Sequence, residues 1–276
     1  MEKIDRLGWA AGISFVSYGL RIGVRANKPE LLERALDSLP PGWKPASTPV
    51  VQHLYSLIGA GSLGRSRLRG YNLLYAGAAR VARSTNLNDM LTIFDSDLQL
   101  YVAERAHRRT FVHAGVVEWD GRAMIFPGRS LSGKTTLVTA LVKAGATYYS
   151  DEYAVLDSRG RVHPYPRPPR IRDSNGRGAR RTPPEGEGFE FAPGTKPLPV
   201  GCIVITEYEP RKKWRPRRLS SGRAALEMLA HAVPARRKPK STLATLSQVA
   251  AGATAYKGRR GESDEVVDWL QKYGKL

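Results

Sequence analysis

Residues 128–135 read GRSLSGKT, a complete G-x-x-x-x-G-K-[ST] motif, and this is the feature that most constrains the chain. In such a phosphate loop a glycine-rich turn leads from a strand into a helix. Successive backbone N–H groups then point at the positive end of that helix, where a polyphosphate can lie. Lys134 reaches the β- and γ-phosphates, and the Thr135 hydroxyl holds Mg²⁺. The motif predicts these phosphate-binding residues: Gly128, Ser130, Ser132, Gly133, Lys134, Thr135 and Thr136.

The flanks of the motif favour this interpretation over an ordinary strand-turn-helix joint, the alternative in a basic, glycine-containing chain. Residues 122–126 are a short apolar run with strand character. Residues 135–144 carry apolar side chains at helical spacing and end at Gly145, a residue type common just after helix C-termini. The sequence therefore predicts the strand-loop-helix frame in which the motif is specific.

Length and composition set the outer limits of the fold. With 276 residues, 41% of them hydrophobic, the chain can bury a full core and form one sizeable domain with a smaller one attached. The single Cys202 excludes an internal disulfide and leaves too few thiols for a cysteine-based zinc site, which predicts a reducing cytoplasm. Residues 7–20 could be mistaken for a signal peptide, but their glycine and serine interruptions favour a core strand. No apolar stretch is long enough to span a bilayer, so no membrane partner is expected.

Hydrophobic periodicity divides the chain into two parts. Residues 1–105 are predicted to form an α+β domain, and residues 106–276 a second domain that contains the phosphate loop. In the first part we expect strands at 13–24, 50–58 and 71–75 and helices at 29–39 and 88–106. In the second we expect a hairpin of 111–119 and 122–126 across Asp120-Gly121, a central strand at 201–207, and helices at 223–232, 243–251 and 264–273.

A pair of carboxylates follows the helix of the phosphate loop. Residues 147–156 read as a strand pair with Asp151 and Glu152 in its middle. A phosphate-loop enzyme needs an acidic side chain near Mg²⁺ and a base or hydroxyl-orienting group near the γ-phosphate. Adjacent carboxylates can divide these two tasks.

These motifs together resemble the catalytic domain of the HPr kinase/phosphorylase superfamily. The resemblance rests on His113-Ala114-Gly115, the hairpin, the phosphate loop and Ser150-Asp151-Glu152, and covers about residues 110–160. It implies an α/β (α+β) fold: a P-loop-containing, PEP-carboxykinase-like catalytic domain beside the smaller N-terminal α+β domain.

The resemblance also implies roles for individual residues. Lys134 and Thr135 would bind the phosphates of ATP and Mg²⁺, and Asp151 would be the acid/base group at the acceptor hydroxyl. Glu152 would assist the metal, and His113 would support the site.

Three departures from the family pattern are informative. Leu131 stands where the family loop has its middle glycine, and Glu152 stands where a second aspartate is usual. A basic stretch at 170–181 replaces the acidic, glycine-containing signature of the family. The chain is thus similar to divergent HPr-kinase-like proteins of peptide-modification gene clusters, including lasso-peptide kinases. The departures argue against HPr as the substrate and against phosphorolysis.

Positive charge is concentrated in three loops, at 159–181, 211–218 and 236–240, and these carry most of the formal net charge of +19. Loops rich in proline and glycine are predicted to be mobile arms over the active site, where they can clamp the γ-phosphate or attract an acidic peptide. Arg259 and Arg260 are predicted to lie in a turn before the last helix, where a solvated surface position is favoured and a phosphate contact is the alternative. For any single arginine, a solvated surface position is the simpler interpretation.

The sequence therefore predicts an ATP-dependent kinase that phosphorylates a hydroxyl, of Ser or Thr, on an acidic peptide or small protein. Two other classes stay open. A pI near 10.3 also fits a nucleic-acid-acting P-loop kinase or NTPase, with nucleic acid as the partner. A non-catalytic adaptor would bind nucleotide and transfer nothing. The resemblance leaves a homo-oligomer open as well.

Overall fold

The protein is a mixed α/β chain. The computed structural model describes residues 8–61, 70–128, 132–168, 170–172, 179–181 and 192–273, which form two mixed sheets, a two-stranded ribbon and six α-helices. The chain divides into two compact units, Met1–His107 and Arg108–Leu276. Among the described residues, no helix is long and apolar enough to cross a membrane.

The first unit is a six-stranded sheet with two helices, in the strand order β3-β1-β2-β4-β5-β6. Tyr55 connects sheet and helix: its ring packs edge-on against Phe94, with centroids 5.2 Å apart, and its hydroxyl donates to Asp97 at 2.7 Å. The elements are β1 (Ala11–Ser17), β2 (Leu20–Ala26), α1 (Pro29–Leu36), β3 (Lys44–Pro45), β4 (His53–Ile58), β5 (Asn72–Ala76), β6 (Ala79–Ser84) and α2 (Leu87–Arg105).

The single strand predicted at 13–24 is wrong: this segment is the β1–β2 hairpin. The turn residues Tyr18 and Gly19 have φ angles of 48° and 81°, which is the pattern of a tight hairpin turn. A tyrosine with positive φ is unusual, so residue types alone do not predict a turn here. The helix predicted at 88–106 is confirmed with its start at Leu87, where the Asn86 side chain accepts the Asn88 N–H at 2.9 Å and caps the first turn.

The second unit contains the larger sheet, in the order β11-β10-β7-β8-β14-β16-β15, with β9 also paired to β7. Strand β11 pairs with β14 as well as β10, so part of the sheet closes on itself. The strands are β7 (Thr110–Trp119), β8 (Arg122–Pro127), β9 (Thr147–Ser150), β10 (Tyr153–Leu156), β11 (Arg161–His163), β12 (Arg170–Arg172), β13 (Ala179–Arg181), β14 (Leu198–Tyr208), β15 (Arg217–Leu219) and β16 (Thr254–Arg260). The helices are α3 (Lys134–Lys143), α4 (Ser221–Leu229), α5 (Pro239–Ala251) and α6 (Ser263–Tyr273).

Three neighbouring strands of this sheet, β8, β14 and β16, run parallel. Their carboxyl ends therefore lie at one edge, and Gly128 follows β8 at that edge. The predicted hairpin that feeds β8 is confirmed: β7 and β8 pair antiparallel across Asp120 and Gly121, whose φ angles are 51° and 74°.

Apolar cores lie on both faces of this sheet. On one face Ile125 and Ile203 belong to a cluster that includes residues of α4 and α5. On the other, Phe126 and Val204 belong to a cluster that includes residues of α3 and α6. Because alternate residues of a strand point to opposite faces, each central strand contributes to both cores.

Helix α3 approaches β7 most closely at Gly115. A Cβ atom at this position would lie 2.5 Å from Cγ2 of Val138. The glycine of the His113-Ala114-Gly115 segment is therefore required by packing, because any side chain there would push the helix away from the sheet.

We expect Gly115→Ala to lower the stability of the protein by about 1–3 kcal/mol, the usual effect of overpacking a core contact. Gly222→Ala is the matched control, because a Cβ at this exposed helical position meets nothing within 4 Å and should change stability by no more than about 1 kcal/mol. Thermal denaturation followed by circular dichroism measures both. Equal melting temperatures for the two variants would contradict the packing argument.

Candidate functional site

Two glycines at the ends of the phosphate loop are fixed by their surroundings. A Cβ at Gly128 would lie 2.5 Å from Oγ of Ser132, and a Cβ at Gly133 would lie 2.5 Å from Nη2 of Arg260. Gly133 also has a φ of 80° and occupies the N-cap position of α3, a left-handed conformation that glycine adopts readily. Residues 129–131 lie outside the described residues, and with them the predicted ligand Ser130 and the unusual Leu131.

Lys134 is the first residue of α3 and lies across this loop. Its Nζ donates to the carbonyl oxygen of Gly128 at 2.9 Å. Burial lowers the pKa of Lys134 to about 8, against the opposing charges of Asp151 and Glu152. Close by, the buried Oγ of Ser132 has no hydrogen-bond partner among the described residues. The loop thus has a cation and an unused hydroxyl for an incoming phosphate.

Thr135 and Asp151 are in direct contact. The Thr135 hydroxyl donates to Oδ2 of Asp151 at 3.0 Å. The other carboxylate oxygen, Oδ1, lies 3.1 Å from the Tyr148 hydroxyl, which also donates to the carbonyl oxygen of Arg167 at 2.7 Å. Asp151 is buried, so its carboxylate is held in one orientation beside the first turn of α3.

A break in one strand places Asp151 and Glu152 here. Strands β9 and β10 both pair with β7, and Val116↔Ser150 and Tyr153↔His113 belong to the same antiparallel register. Between the two strands, Oγ of Ser150 accepts the N–H groups of Glu152 at 3.1 Å and of Tyr153 at 3.0 Å. These bonds replace ladder hydrogen bonds and interrupt the strand at the acidic pair.

The two carboxylates have different partners. Whereas Asp151 contacts Thr135, Oε2 of Glu152 lies 3.5 Å from Nη1 of Arg167, whose side chain is only 4% exposed. Arg167, which belongs to the predicted first basic loop at 159–181, is therefore buried beside the acidic pair rather than exposed to solvent. Elsewhere in that loop Arg161 and His163 both contact Asp157, at 2.9 Å and 3.0 Å. The part at 173–178 lies outside the described residues.

His113 links the acidic pair to the phosphate loop. Its carbonyl oxygen accepts the N–H of Gly128 at 3.1 Å, and its ring lies 4.8 Å from that of Tyr153. Burial, and secondly the charge of Lys134, lower the pKa of His113. The imidazole is therefore neutral at pH 7 and suited to supporting the site rather than to binding an anion.

The predicted site residues that the structure describes thus lie together at one edge of the sheet. Thr136 is the exception, because its side chain is exposed on α3. The residues present fit Mg²⁺ with a nucleotide: Thr135 and Asp151 offer hard oxygen ligands, and Mg²⁺ is usually bound by one or two carboxylates together with substrate phosphates. No group of three or more His, Cys, Asp or Glu side chains suited to a metal occurs among the described residues.

Arg260 belongs to the site, although the sequence favours a solvated position for it over a phosphate contact. It was expected in a surface turn, but it is the last residue of β16 and is 2% exposed. Its Nη2 donates to the carbonyl oxygen of Gly133 at 2.9 Å, and its Nη1 to that of Gly261 at 3.0 Å. Among the described residues it forms no ion pair. The alternation along residues 254–260, which puts Arg260 on the same face as Tyr256, was the signal available in the sequence.

A cavity of about 740 Å³ borders the phosphate loop at Gly128 and Ser132. It lies at the carboxyl ends of β8, β14 and β16, where ligands of parallel sheets commonly bind. Its lining consists of Pro127, Gly128, Ser132, Ile205, Thr206, Glu207, Arg215, Arg217, Glu227, His231, Lys257, Gly258 and Arg259.

The basic segment 211–218 borders this cavity but is not the mobile arm that its composition predicted. Trp214 is 8% exposed, and its backbone N–H donates to Oε2 of Glu265 at 2.9 Å. The end of the segment continues into β15, which pairs with β16. One buried aromatic side chain therefore fixes a stretch that looks like a loop in the sequence.

No protein-family model matches the chain, and no curated protein matches it. The function therefore has to be inferred from the geometry of the site.

If the loop binds ATP, as the motif predicts, we expect Arg260→Met to weaken that binding about ten- to hundredfold, because a hydrogen bond from a charged donor contributes about 1.5–3 kcal/mol. Methionine retains much of the side-chain volume but leaves the Gly133 carbonyl without its partner. Isothermal titration calorimetry measures the affinity. The control is Arg259→Met, an exposed neighbour that points to the opposite face of β16, with a change of about twofold or less expected. Equal affinities for both variants would remove Arg260 from the site.

Proposed function

We propose that the protein is an ATP-dependent kinase, of the HPr-kinase-like class, that transfers the γ-phosphoryl group to a hydroxyl of a peptide or small protein. The observation that carries the proposal is the 3.0 Å hydrogen bond from Thr135 to Asp151, formed at the end of a loop that also presents Lys134. Phosphoryl transfer needs this combination: a phosphate cradle, a hydroxyl ligand for the metal and an adjacent carboxylate.

On this proposal the loop binds the donor. The N–H groups at the start of α3 and the ammonium group of Lys134 neutralise the β- and γ-phosphates. Arg260 keeps the Gly133 carbonyl turned away from them, through its 2.9 Å bond on the far side. Mg²⁺, when bound, neutralises phosphate charge and is the reason for a hydroxyl at Thr135.

Asp151 and Glu152 then divide the remaining work. Asp151 accepts the proton of the acceptor hydroxyl as its oxygen forms a bond to the γ-phosphorus, while the bond from that phosphorus to the bridging oxygen of ADP breaks. Glu152 positions Arg167, whose buried guanidinium lies 3.5 Å from it. This assignment differs from the one that the family resemblance implies, in which Glu152 assists the metal, because Asp151 rather than Glu152 contacts Thr135.

The test is transfer of label from γ-³²P-ATP to a panel of acceptors: an acidic serine peptide, its neutral counterpart, an HPr-like protein, free serine and an oligonucleotide. We expect label on a peptide serine or threonine. Lys134→Ala should lower the rate roughly a hundredfold or more, because it removes a charge aimed at the transferred group. Asp151→Asn should lower it about 10²- to 10⁴-fold while ATP still binds.

Two matched variants control for loss of structure. Lys143→Ala removes an exposed lysine from the last turn of the same helix, and Asp120→Asn changes a hairpin carboxylate to a residue that tolerates its positive φ. Both should retain full activity. An Asp151→Asn enzyme as active as these controls would overturn the role of Asp151.

The same assay separates the two other classes. Label on the oligonucleotide, or ATP turnover that nucleic acid stimulates and salt suppresses, would favour the nucleic-acid-acting alternative that the net charge of +19 keeps open. ATP binding without transfer to any acceptor would favour a nucleotide-binding adaptor.

A further inference from the structure

The cavity beside the phosphate loop is lined by basic side chains that the proposed donor site does not use. We propose that it binds an anionic group of the phosphoryl acceptor, a carboxylate or a phosphate ester near the reacting hydroxyl, and that Arg215 and Arg217 hold this group. The inference deepens the proposed kinase function and rests on it.

The basic side chains of the cavity come from the edge of the larger sheet, from β15, β16 and the segment just before β15. Strand β15 pairs antiparallel with β16, and Arg217 stands opposite Lys257. Alternate residues of a strand share a face, so Arg259 joins Lys257 on β16, while Arg215 lies in the irregular segment just before β15. All four line the cavity. Arg218, which stands opposite Tyr256, points to the other face.

Two of the four cations already have carboxylate partners. Lys257 forms an ion pair with Glu227 on α4, and Arg259 lies 3.0 Å from Glu209 and 4.0 Å from Glu207. Arg215 and Arg217 form no ion pair with any described residue. The cavity therefore retains two positive charges for a ligand, and arginine binds carboxylate and phosphate groups with two parallel hydrogen bonds.

The segment that carries these two arginines is held in place before any ligand binds. The Trp214 ring packs against Trp269, with centroids 6.2 Å apart, and closely against Gly258. On the other side of the turn, a Cβ at Gly261 would lie 2.6 Å from the carbonyl oxygen of Lys212, so the two backbones are in contact. A fixed backbone lowers the entropic cost of binding, which is a feature of a built site rather than of a solvated basic loop.

The lining of the cavity favours an anionic acceptor over the nucleoside of the donor. Its apolar side chains are Pro127 and Ile205, and none of its described lining residues is a Phe, Tyr or Trp. Sites for small ring systems are lined mainly by apolar and aromatic side chains. The cavity also reaches Gly128 and Ser132, so a group bound there lies beside the phosphate loop, where the acceptor hydroxyl must be presented.

The experiment measures peptide binding and label transfer in parallel, so that the two proposals can fail separately. The probes are three serine peptides of equal length, with aspartates, phosphoserines or asparagines beside the acceptor serine. We expect the wild-type protein to bind and phosphorylate one or both anionic peptides about tenfold better than the neutral one. Arg215→Gln/Arg217→Gln should reduce that preference to near unity and leave the affinity for ATP unchanged.

Arg218→Gln is the matched control, because it removes one exposed arginine from the same strand on the opposite face, and it should retain the preference. Arg215→Glu/Arg217→Glu distinguishes a change of specificity from a general loss of activity, because it should shift the preference to a lysine-flanked peptide. Aspartate and phosphoserine peptides distinguish the two sources of negative charge.

Equal use of neutral and anionic peptides by the wild-type protein would overturn the acceptor site and leave the kinase proposal standing. An arginine-dependent preference in binding without any transfer of label would overturn the kinase instead. A double variant that loses ATP affinity but keeps its peptide preference would show that the cavity holds the nucleotide.

Discussion

The parallel register of β8, β14 and β16 is the constraint on which the site depends. It brings three carboxyl ends to one edge, so that the turn after β8 becomes the phosphate loop, the end of β16 delivers Arg260 to Gly133, and the end of β14 lines the cavity. Because the side chains of each strand alternate, Arg260 and Arg259 serve opposite faces. One supports the loop from the face of α3, and the other borders the cavity on the face of α4. A shift of one residue in the β14–β16 pairing would exchange these two positions.

The acidic pair reaches the loop by a different route. Strand β7 runs antiparallel to β8 and carries β9 and β10 on its far side, so Asp151 approaches the loop from across β7. The Ser150 hydroxyl accepts the N–H groups of Glu152 and Tyr153, which would form ladder hydrogen bonds in an unbroken strand. The chain can therefore turn at this point and direct Asp151 toward Thr135. The result is a loop that has the Thr135–Asp151 contact at the start of α3 and a basic cavity beside Gly128 and Ser132.

Features with local causes could be predicted from the sequence. The strand-loop-helix frame, the Asp120-Gly121 hairpin, the central strand of the sheet and the position of the carboxylate pair within its strands follow from periodicity, turn chemistry and one motif. Features that depend on tertiary packing could not. The sequence does not distinguish a buried arginine from an exposed one, so it predicts solvated positions for Arg260 and Arg167. The positive φ of Tyr18 hid a hairpin, and the burial of Trp214 turned an apparent mobile arm into a fixed edge of the cavity.

The energetic cost of the buried charges Arg260 and Lys134 bears on why positive charge is concentrated at the N-terminus of α3. A guanidinium that is 2% exposed and lacks a carboxylate partner among the described residues is costly, and three carbonyl or hydroxyl oxygens offset that cost only in part. Burial also holds the pKa of Lys134 well below that of a free lysine, against the opposing charges of Asp151 and Glu152. Both charges lie at the N-terminus of α3, whose dipole adds further positive potential. A phosphate placed there would compensate the buried charge of Lys134, and the potential of Arg260 and of the helix dipole would add to the attraction, which is a physical reason for such a loop to favour a polyanion.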